Sequence, residues 1–204
     1  MQLIYPTETG ISPDTGNNPP VGKEIPYLQD QLIAYIGNKR ALLGFLAEVF
    51  RSLADSLSAG SANDSIRFLD VFAGSGAVAR LANYLGYQVA ANDWEPYSYY
   101  LNSAYLTVRA DELDGLFPDA GGFQAVLDRL NTEEGSYEAY LSRFYAPRNT
   151  ADADYRTERL FYTRENAVFL DRARERIEQW YPGWNGLPAD SRAAKSVLLS
   201  GLIY

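Results

Sequence analysis

Apolar and polar positions along the chain predict one long helix and two short strands in its first half. Between about Lys39 and Leu57 the apolar residues recur at intervals of three and four, which is typical of an amphipathic helix: Leu42, Leu43, Leu46, Val49, Phe50, Leu53 and Leu57. Ile66–Phe72 is a short, mostly apolar run bounded by turn-forming residues, which predicts a buried strand. Tyr87–Ala91 predicts a second strand.

Helices are predicted between and after these strands. Ala77–Leu85 is expected to be helical and to end at Gly86, and a helix from Pro96 to about Arg109 has its proline in the first turn. The order strand, helix, strand, helix predicts a parallel sheet with a right-handed crossover. Beyond Asp111 only helices are predicted: Phe123–Leu130, Ser136–Phe144, Asn166–Trp180 and a last one starting at Ser191.

Composition removes several kinds of chemistry. The 204 residues contain no cysteine and no histidine, which excludes disulfides, thiolate nucleophiles, zinc–thiolate sites and a Ser-His-Asp triad. A net charge of −8 argues against a large phosphate-binding surface. No apolar run is long enough for a bilayer and the first residues lack the form of a signal peptide, so we predict a soluble, cytoplasmic protein without a metal site.

A glycine turn between the first strand and the following helix is the strongest candidate for a cofactor site. The stretch Phe68–Ala79 contains both G-x-G-x-x-A, starting at Gly74, and D-x-F-x-G-x-G, starting at Asp70. Such a turn brings a ligand close to bare backbone, and Asp93 follows at about the spacing expected of a carboxylate that binds ribose hydroxyls. These features suit any adenosine cofactor, and a tight strand-to-helix connection without a ligand is the alternative.

The carboxylate of Asp70 discriminates between two cofactor classes. A dinucleotide would place its pyrophosphate beside this side chain, where repulsion at ~4–6 Å amounts to a few kcal/mol at an effective dielectric near ~20. S-adenosylmethionine has no phosphate and carries a cationic ammonium and sulfonium. The charge of Asp70 therefore favours S-adenosylmethionine over NAD.

Taken together, the motifs resemble those of the DNA adenine-N6 methyltransferases, in the subgroup whose cofactor motifs precede the catalytic motif. Tyr35–Arg40 is similar to that family's Y-x-G-x-K segment, Asp70–Gly76 to its D-x-F-x-G-x-G loop, and Asn92–Asp93 to its acidic motif. Arg159–Ala167 is similar to a segment before the catalytic motif in some members. The order of these segments between about residues 35 and 180 is more specific than any one of them.

The resemblance implies roles for individual residues. Lys39 and nearby backbone would bind the methionine carboxylate, Asp70 the ammonium and Asp93 the ribose hydroxyls, while Trp94 would pack on the adenine. The alternatives are that Lys39 is a solvated charge and Trp94 a core residue. The cofactor-binding residues predicted in this way are Tyr35, Gly37, Asn38, Lys39, Asp70, Phe72, Gly74, Ser75, Gly76, Asp93 and Trp94.

The chain departs from this family at the catalytic motif. The family carries [DN]-P-P-[YF], whose aromatic ring stacks on the extruded base. The one candidate, Asn18-Pro19-Pro20-Val21, has valine in place of the ring and lies before the cofactor motifs, so we interpret it as a chance match and assign no catalytic residue. The sequence therefore predicts cofactor binding at best, and no methyl transfer by this chain alone.

The predicted fold is α/β, a Rossmann-like S-adenosylmethionine-dependent methyltransferase fold with an incomplete sheet and a helical insertion. Residues 1–34 are predicted to form an N-terminal arm and residues 35–112 the S-adenosylmethionine-binding α/β core. Residues 113–204 are predicted to form a helical region leading to a missing catalytic and target-recognition part. That part, or a complementing C-terminal polypeptide, would contact the DNA.

Two other functions stay open from the sequence. The sequence of the cofactor loop does not indicate which molecule accepts the methyl group, so RNA, protein or a small molecule are alternatives to DNA. A non-catalytic interaction subunit is a further alternative. The four tyrosines Tyr97, Tyr99, Tyr100 and Tyr105 are expected to pack as part of a helix on the sheet rather than to stack on bases. The arginines of Arg172–Arg176 alternate with acidic residues, including Asp171, which predicts a solvated helix face.

Overall fold

The computed structural model describes residues 26–29, 39–58, 66–132 and 137–203. These residues form two compact units, an α/β unit that ends at Leu113 and a helical unit over Asp114–Leu202. The N-terminal arm predicted for residues 1–34 lies outside the described residues except for 26–29. No helix in the described ranges has the length and apolar character needed to cross a membrane.

The α/β unit contains the predicted alternation of strands and helices. Its elements are α1 (Pro26–Gln29), a 3₁₀ turn (Arg40–Leu42), α2 (Leu43–Ser58), β1 (Arg67–Asp70), α3 (Ala77–Tyr84), β2 (Gln88–Ala91) and α4 (Pro96–Thr107). The predicted helix is confirmed by α2, but its predicted apolar face is wrong in part, because Leu43 is buried whereas Leu42, Leu53 and Leu57 are exposed. The α/β class is confirmed as a mixed helix and strand structure with a small parallel sheet.

Strands β1 and β2 pair in parallel and bring their carboxyl ends to the same edge. Phe68 pairs with Val89 and Asp70 with Ala91, and the Asn92 N–H donates to the Asp70 carbonyl at 2.7 Å. The predicted buried strand Ile66–Phe72 is shorter in the structure, where β1 ends at Asp70, and its burial is wrong, since Leu69 is 62% exposed. The chain turns after Asp70. The next backbone hydrogen bond to the segment that follows β2 is donated by the Ala73 N–H to the Asn92 carbonyl at 2.9 Å.

A buried arginine joins α1, α3 and α4. The Arg80 guanidinium donates from Nη1 to the Tyr27 carbonyl at 2.6 Å and lies over the rings of Tyr27 and Tyr105 at 5.8 and 5.3 Å. The Tyr27 hydroxyl donates to the Tyr105 carbonyl at 2.9 Å and accepts from Asn83 Nδ2 at 3.0 Å. Tyr105 is therefore buried against α1 and α3, whereas Tyr99 on the same helix is 52% exposed.

The helical unit contains four helices and a few short turns among its described residues. Three 3₁₀ turns (Ala110–Glu112, Asp114–Leu116 and Pro118–Ala120) lead into it, followed by α5 (Phe123–Thr132), α6 (Tyr140–Phe144), α7 (Arg164–Trp180) and α8 (Ala189–Ile203). Phe117 and Phe123 stack at a centroid distance of 5.6 Å. Helix α7 starts two residues before the predicted Asn166 because Thr163 caps it, accepting from the Asn166 N–H at 3.2 Å.

Asp171 corrects the prediction of a fully solvated face on α7. Its side chain is buried, and its carboxylate accepts the backbone N–H groups of Ala139, Leu141 and Ser142 at 3.1, 3.0 and 2.8 Å. Burial raises the pKa of Asp171, but the three N–H donors outweigh burial and lower its pKa below the ordinary value. The carboxylate therefore fixes the start of α6 against α7, while Arg174 stays exposed.

Candidate cofactor site

Two glycines with positive φ shape the turn that connects β1 to α3. Gly74 has φ +54° and Gly76 has φ +77°, values that residues with a Cβ rarely adopt. A Cβ added to Gly76 would also lie 2.6 Å from Asn102 Oδ1. The turn can therefore approach α4 this closely only because glycine stands at position 76.

Helix α4 holds the turn through two polar side chains that the sequence analysis missed. The Ser98 hydroxyl donates to the Gly74 carbonyl at 2.7 Å, and Asn102 Nδ2 donates to the Ser98 carbonyl and hydroxyl at 2.9 and 3.1 Å. Both side chains are buried. The available signal was a pair of polar residues four positions apart, since such pairs lie on one helix face, although α4 also carries the polar pair Ser103 and Thr107.

Asp93 connects the turn to the start of α4. Its Oδ2 accepts the Gly74 N–H at 2.8 Å and its Oδ1 accepts the Glu95 N–H at 3.0 Å. The N–H groups of Glu95 and Gly74 lower the pKa of Asp93, so this carboxylate is ionised at neutral pH. A carboxylate offers about four acceptor positions, which leaves room on Asp93 for the hydroxyl groups of a ligand.

Asp70 lies at the end of β1, half-buried, at the same sheet edge as Asp93. Burial raises its pKa, the negative charge of Asp93 adds to this, and the nearby N–H groups of Phe72 and Ala79 lower it in part. A half-buried carboxylate with a raised pKa beside a second carboxylate is stabilised in its ionised form by a cation at the solvent side of the pair. The geometry and charge of this edge therefore fit a cationic ligand group.

Two aromatic rings beside the turn are exposed. Phe72 is 86% and Trp94 93% exposed, so the alternative interpretation of Trp94 as a core residue is wrong. An exposed indole next to Asp93 offers a flat apolar surface of the kind that stacks on a planar ring.

Apart from Phe72 and Trp94, the predicted site residues fall into three groups. The structure brings Asp70, the turn with Gly74, Ser75 and Gly76, and Asp93 together at one edge of the sheet. Lys39 is exposed and precedes the first 3₁₀ turn. The remaining predicted binding residues, Tyr35, Gly37 and Asn38, and the segment Asn18–Val21 lie outside the described residues.

No cluster of potential metal ligands exists in the part of the chain that the structure describes. The candidate site consists of backbone, two carboxylates and exposed rings, a set of groups that suits an organic cation with an attached nucleoside.

Comparison with known proteins identifies relatives of this chain. A family model for D12 class N6 adenine-specific DNA methyltransferases matches residues 35–178. The type II methyltransferase M.CviAII of Paramecium bursaria Chlorella virus 1 is 27% identical over 147 residues, and the type II methyltransferase M.NlaIII of Neisseria lactamica is 32% identical over 147 residues. Each match covers 72% of this chain but 38% of the relative. No solved structure matches the chain.

Proposed function

Because the chain belongs to the D12 class family of N6 adenine-specific DNA methyltransferases, we propose that it is the cofactor-binding portion of such an enzyme. Methyltransferases of this family use S-adenosyl-L-methionine as methyl donor. In the complete enzyme the proposed reaction is transfer of that methyl group to the N6 amine of adenine in DNA. The observation that supports this most strongly is the carboxylate pair Asp70 and Asp93 on the two sides of the glycine turn.

Electrostatics supports S-adenosylmethionine as the ligand of this turn. A unit positive charge at about 5 Å from the Asp70 carboxylate gains about 3 kcal/mol at an effective dielectric near ~20, and a phosphate at the same place loses as much. The raised pKa of Asp70 means that burial disfavours the ionised form of this group. A cationic ligand favours the ionised form, whereas a pyrophosphate disfavours it further.

Each residue of the turn then has a proposed role. Asp70 binds the ammonium group of the methionine moiety, and Asp93 accepts the ribose hydroxyls while it keeps its bonds to Gly74 and Glu95. Trp94 covers the adenine ring, with Phe72 as a second apolar surface. Lys39, Tyr35, Gly37 and Asn38 are proposed to hold the methionine carboxylate. The cofactor supplies an activated methyl group, and these residues orient it and exclude competing anions.

We propose that methyl transfer needs polypeptide beyond these residues. The matched segment spans 38% of each relative, and Asn18–Val21 lacks the aromatic residue of the family's catalytic motif. The described sheet has two strands, and Leu69 and Val71 of this sheet and its turn are exposed apolar residues. These features support a Rossmann-like sheet completed by further strands that carry the catalytic motif, in the same protein or in a complementing polypeptide.

Calorimetry with the full chain tests the cofactor assignment. We expect S-adenosylmethionine to bind and NAD to give no heat of binding, and we expect Asp70→Asn to weaken S-adenosylmethionine by at least about tenfold, since it removes the charge and keeps the shape. Asp128→Asn, which removes an exposed carboxylate of α5, is the matched control. Tight NAD binding would contradict the proposal, and binding of neither ligand would favour an interaction subunit.

A methylation assay tests the second part of the proposal. The purified chain is expected to transfer no methyl group to adenine in duplex DNA, because it offers no [DN]-P-P-[YF] segment. Labelled S-adenosylmethionine and unmethylated duplex provide the readout. Incorporation of label into adenine by the chain alone would show that the catalytic group lies within these residues.

A further inference from the structure

We propose that Ser98 and Asn102 of α4 are positioning residues of the cofactor site, which set the orientation of the Gly74 backbone and, through it, the affinity for the ligand. The inference rests on the proposed function, because it concerns binding of S-adenosylmethionine at the glycine turn. Ser98 is fully buried and Asn102 is 8% exposed. A ligand that approaches the turn from solvent therefore meets the backbone of the turn and not these two side chains.

Four hydrogen bonds form a closed ring through Gly74, Asp93, Glu95 and Ser98. The Gly74 N–H donates to Asp93 Oδ2 at 2.8 Å, and the Glu95 N–H donates to Asp93 Oδ1 at 3.0 Å. The Ser98 N–H donates to the Glu95 carbonyl at 3.0 Å, and the Ser98 hydroxyl donates to the Gly74 carbonyl at 2.7 Å. The start of α4 thus binds both polar backbone groups of a single residue of the turn.

Gly74 needs these bonds because its own sterics do not fix its conformation. It has φ +54°, and glycine adopts positive and negative φ with similar ease. The carbonyl and the following N–H of a trans peptide point in opposite directions, so the bond to Ser98 directs the Ser75 N–H away from α4. That N–H has no hydrogen-bond acceptor in the described segments. Ser98 therefore determines where the turn presents an unused donor.

Asn102 determines which way the Ser98 hydroxyl donates. Its Nδ2 donates to the Ser98 carbonyl at 2.9 Å and to the Ser98 hydroxyl oxygen at 3.1 Å. A hydroxyl has one hydrogen to donate. Because the amide supplies a donor to the oxygen, the hydroxyl hydrogen is left for the Gly74 carbonyl.

The other end of the Asn102 amide is not explained by packing. Oδ1 is buried and has no hydrogen-bond donor among the residues whose structure is described, and it lies 2.6 Å from the position that a Cβ on Gly76 would take. A buried acceptor without a donor costs free energy, whereas leucine has a similar shape and no polar atom. The Nδ2 bonds to Ser98 are what an amide provides here and leucine does not.

Other helical hydroxyl groups show that the contact of Ser98 is not a local one. The hydroxyls of Ser56, Thr107 and Thr132 donate to the carbonyl four residues back in their own helix, at 2.8, 2.6 and 2.7 Å. Such local bonds are ordinary for serine and threonine in helices. The Ser98 hydroxyl instead bonds to Gly74, 24 residues away in another segment. Its hydrogen bond therefore acts on the cofactor turn and not on α4 itself.

Calorimetry of the full chain with S-adenosylmethionine tests the role of Ser98. Ser98→Ala is expected to weaken binding by about three- to tenfold, the equivalent of one lost hydrogen bond, and Ser98→Thr, which keeps the hydroxyl, is expected to retain most of the affinity. Ser103→Ala removes a hydroxyl from a different face of the same helix and is the matched control, with no expected change. Urea unfolding of each variant ensures that affinities are compared between folded chains.

Asn102→Leu separates positioning from a contribution to stability. It removes the donor to Ser98 and also the buried acceptor without a donor. We therefore expect the urea midpoint of unfolding to stay the same or to rise, while the affinity for S-adenosylmethionine falls by about three- to tenfold. A residue that only stabilises the fold would lower the midpoint and leave the affinity of the folded chain unchanged.

Amide hydrogen exchange of Gly74 in the chain without ligand gives a readout that does not depend on cofactor binding. Ser98→Ala opens the hydrogen-bonded ring, so the Gly74 N–H is expected to exchange faster than in the unmodified chain and in Ser103→Ala.

Three outcomes would overturn the positioning role. They are equal affinity of Ser98→Ala and the unmodified chain for S-adenosylmethionine, an equally large loss of affinity in Ser103→Ala, and unchanged exchange of the Gly74 amide in Ser98→Ala. Failure of the proposed function has a different signature, which is absent binding of S-adenosylmethionine by the unmodified chain. The exchange of Gly74 then decides by itself whether Ser98 orients the turn.

Discussion

The glycine turn of the α/β unit and the start of α6 in the helical unit are both held by carboxylates, but over different distances along the chain. Asp93 bonds to Gly74, 19 residues away across two adjacent strands, and to Glu95, two residues away. Asp171 bonds to backbone N–H groups up to 32 residues away, in a part of the unit without strands. The first arrangement follows from parallel strand order, and the second depends on tertiary packing alone.

The largest effect is expected at Gly76, where the turn tolerates no side chain. Gly76→Ala would force a residue with a Cβ into a positive φ and against Asn102 Oδ1, which we expect to cost about 3 kcal/mol of unfolding free energy and to abolish cofactor binding. Urea unfolding measures the first effect and calorimetry the second.

Gly44→Ala is the matched control for this change. Gly44 lies in α2 with open space around its Cα, so alanine there is expected to stabilise by up to about 1 kcal/mol. If the two substitutions changed the free energy of unfolding equally, neither the positive φ nor the contact with Asn102 would restrict position 76.

The helical unit should be most sensitive at Asp171. Asp171→Asn replaces an acceptor of three N–H groups by an amide that can accept at one atom only, and we expect a loss of about 2 kcal/mol. Amide hydrogen exchange of Leu141 and Ser142 is the direct readout, because their protection should fall. Unchanged exchange at these two amides would show that the carboxylate does not hold α6.

A smaller effect is expected at Asp93, with a defined pH dependence. Asp93→Asn should destabilise by about 1 kcal/mol through its weakened bonds to Gly74 and Glu95. Since the folded pKa of Asp93 is lowered, its stabilising contribution is complete above the unfolded pKa and is lost as pH falls through the folded pKa. At acidic pH the free energy of unfolding of the variant should therefore approach that of the unmodified chain.

Asp111→Asn is the control for that experiment. Asp111 is exposed and pairs with Arg109 at 2.9 Å, an arrangement expected to contribute little. If Asp111→Asn lowered the free energy of unfolding as much as Asp93→Asn, the effect at Asp93 would come from the loss of an acidic charge and not from its bonds to Gly74 and Glu95.

The contrast between the two units also explains what the sequence could predict. Periodicity located α2 and the strand order, and a parallel pair of strands accounts for the common edge of Asp70 and Asp93, because parallel strands end on one side. The boundary at Asp70 was missed because apolar Val71 and Phe72 continue the pattern although they lie in the exposed turn. The hydropathy of a segment does not show whether its apolar residues belong to a strand or to an exposed turn that follows the strand.

The helical unit was predicted less well because its determinants are non-local. Asp171 was assigned to a solvated face from its charged neighbours, and nothing near it in sequence indicates the three N–H groups that it binds. The loop between Tyr145 and Tyr162 is likewise closed by hydrogen bonds from the Phe161 and Tyr162 N–H groups to the Tyr145 carbonyl, and no sequence motif indicates these bonds. Local patterns identify helices there, but not the contacts that place them.

The affinity for S-adenosylmethionine as a function of pH tests the central claim most directly, namely that a half-buried carboxylate selects a cationic ligand. A bound cation stabilises ionised Asp70, so affinity should rise as pH increases through the raised pKa of Asp70 and level off above it. Asp70→Asn should bind at least about tenfold more weakly at neutral pH and show no such rise. An affinity that is independent of pH in the unmodified chain and equal in the variant would contradict the account.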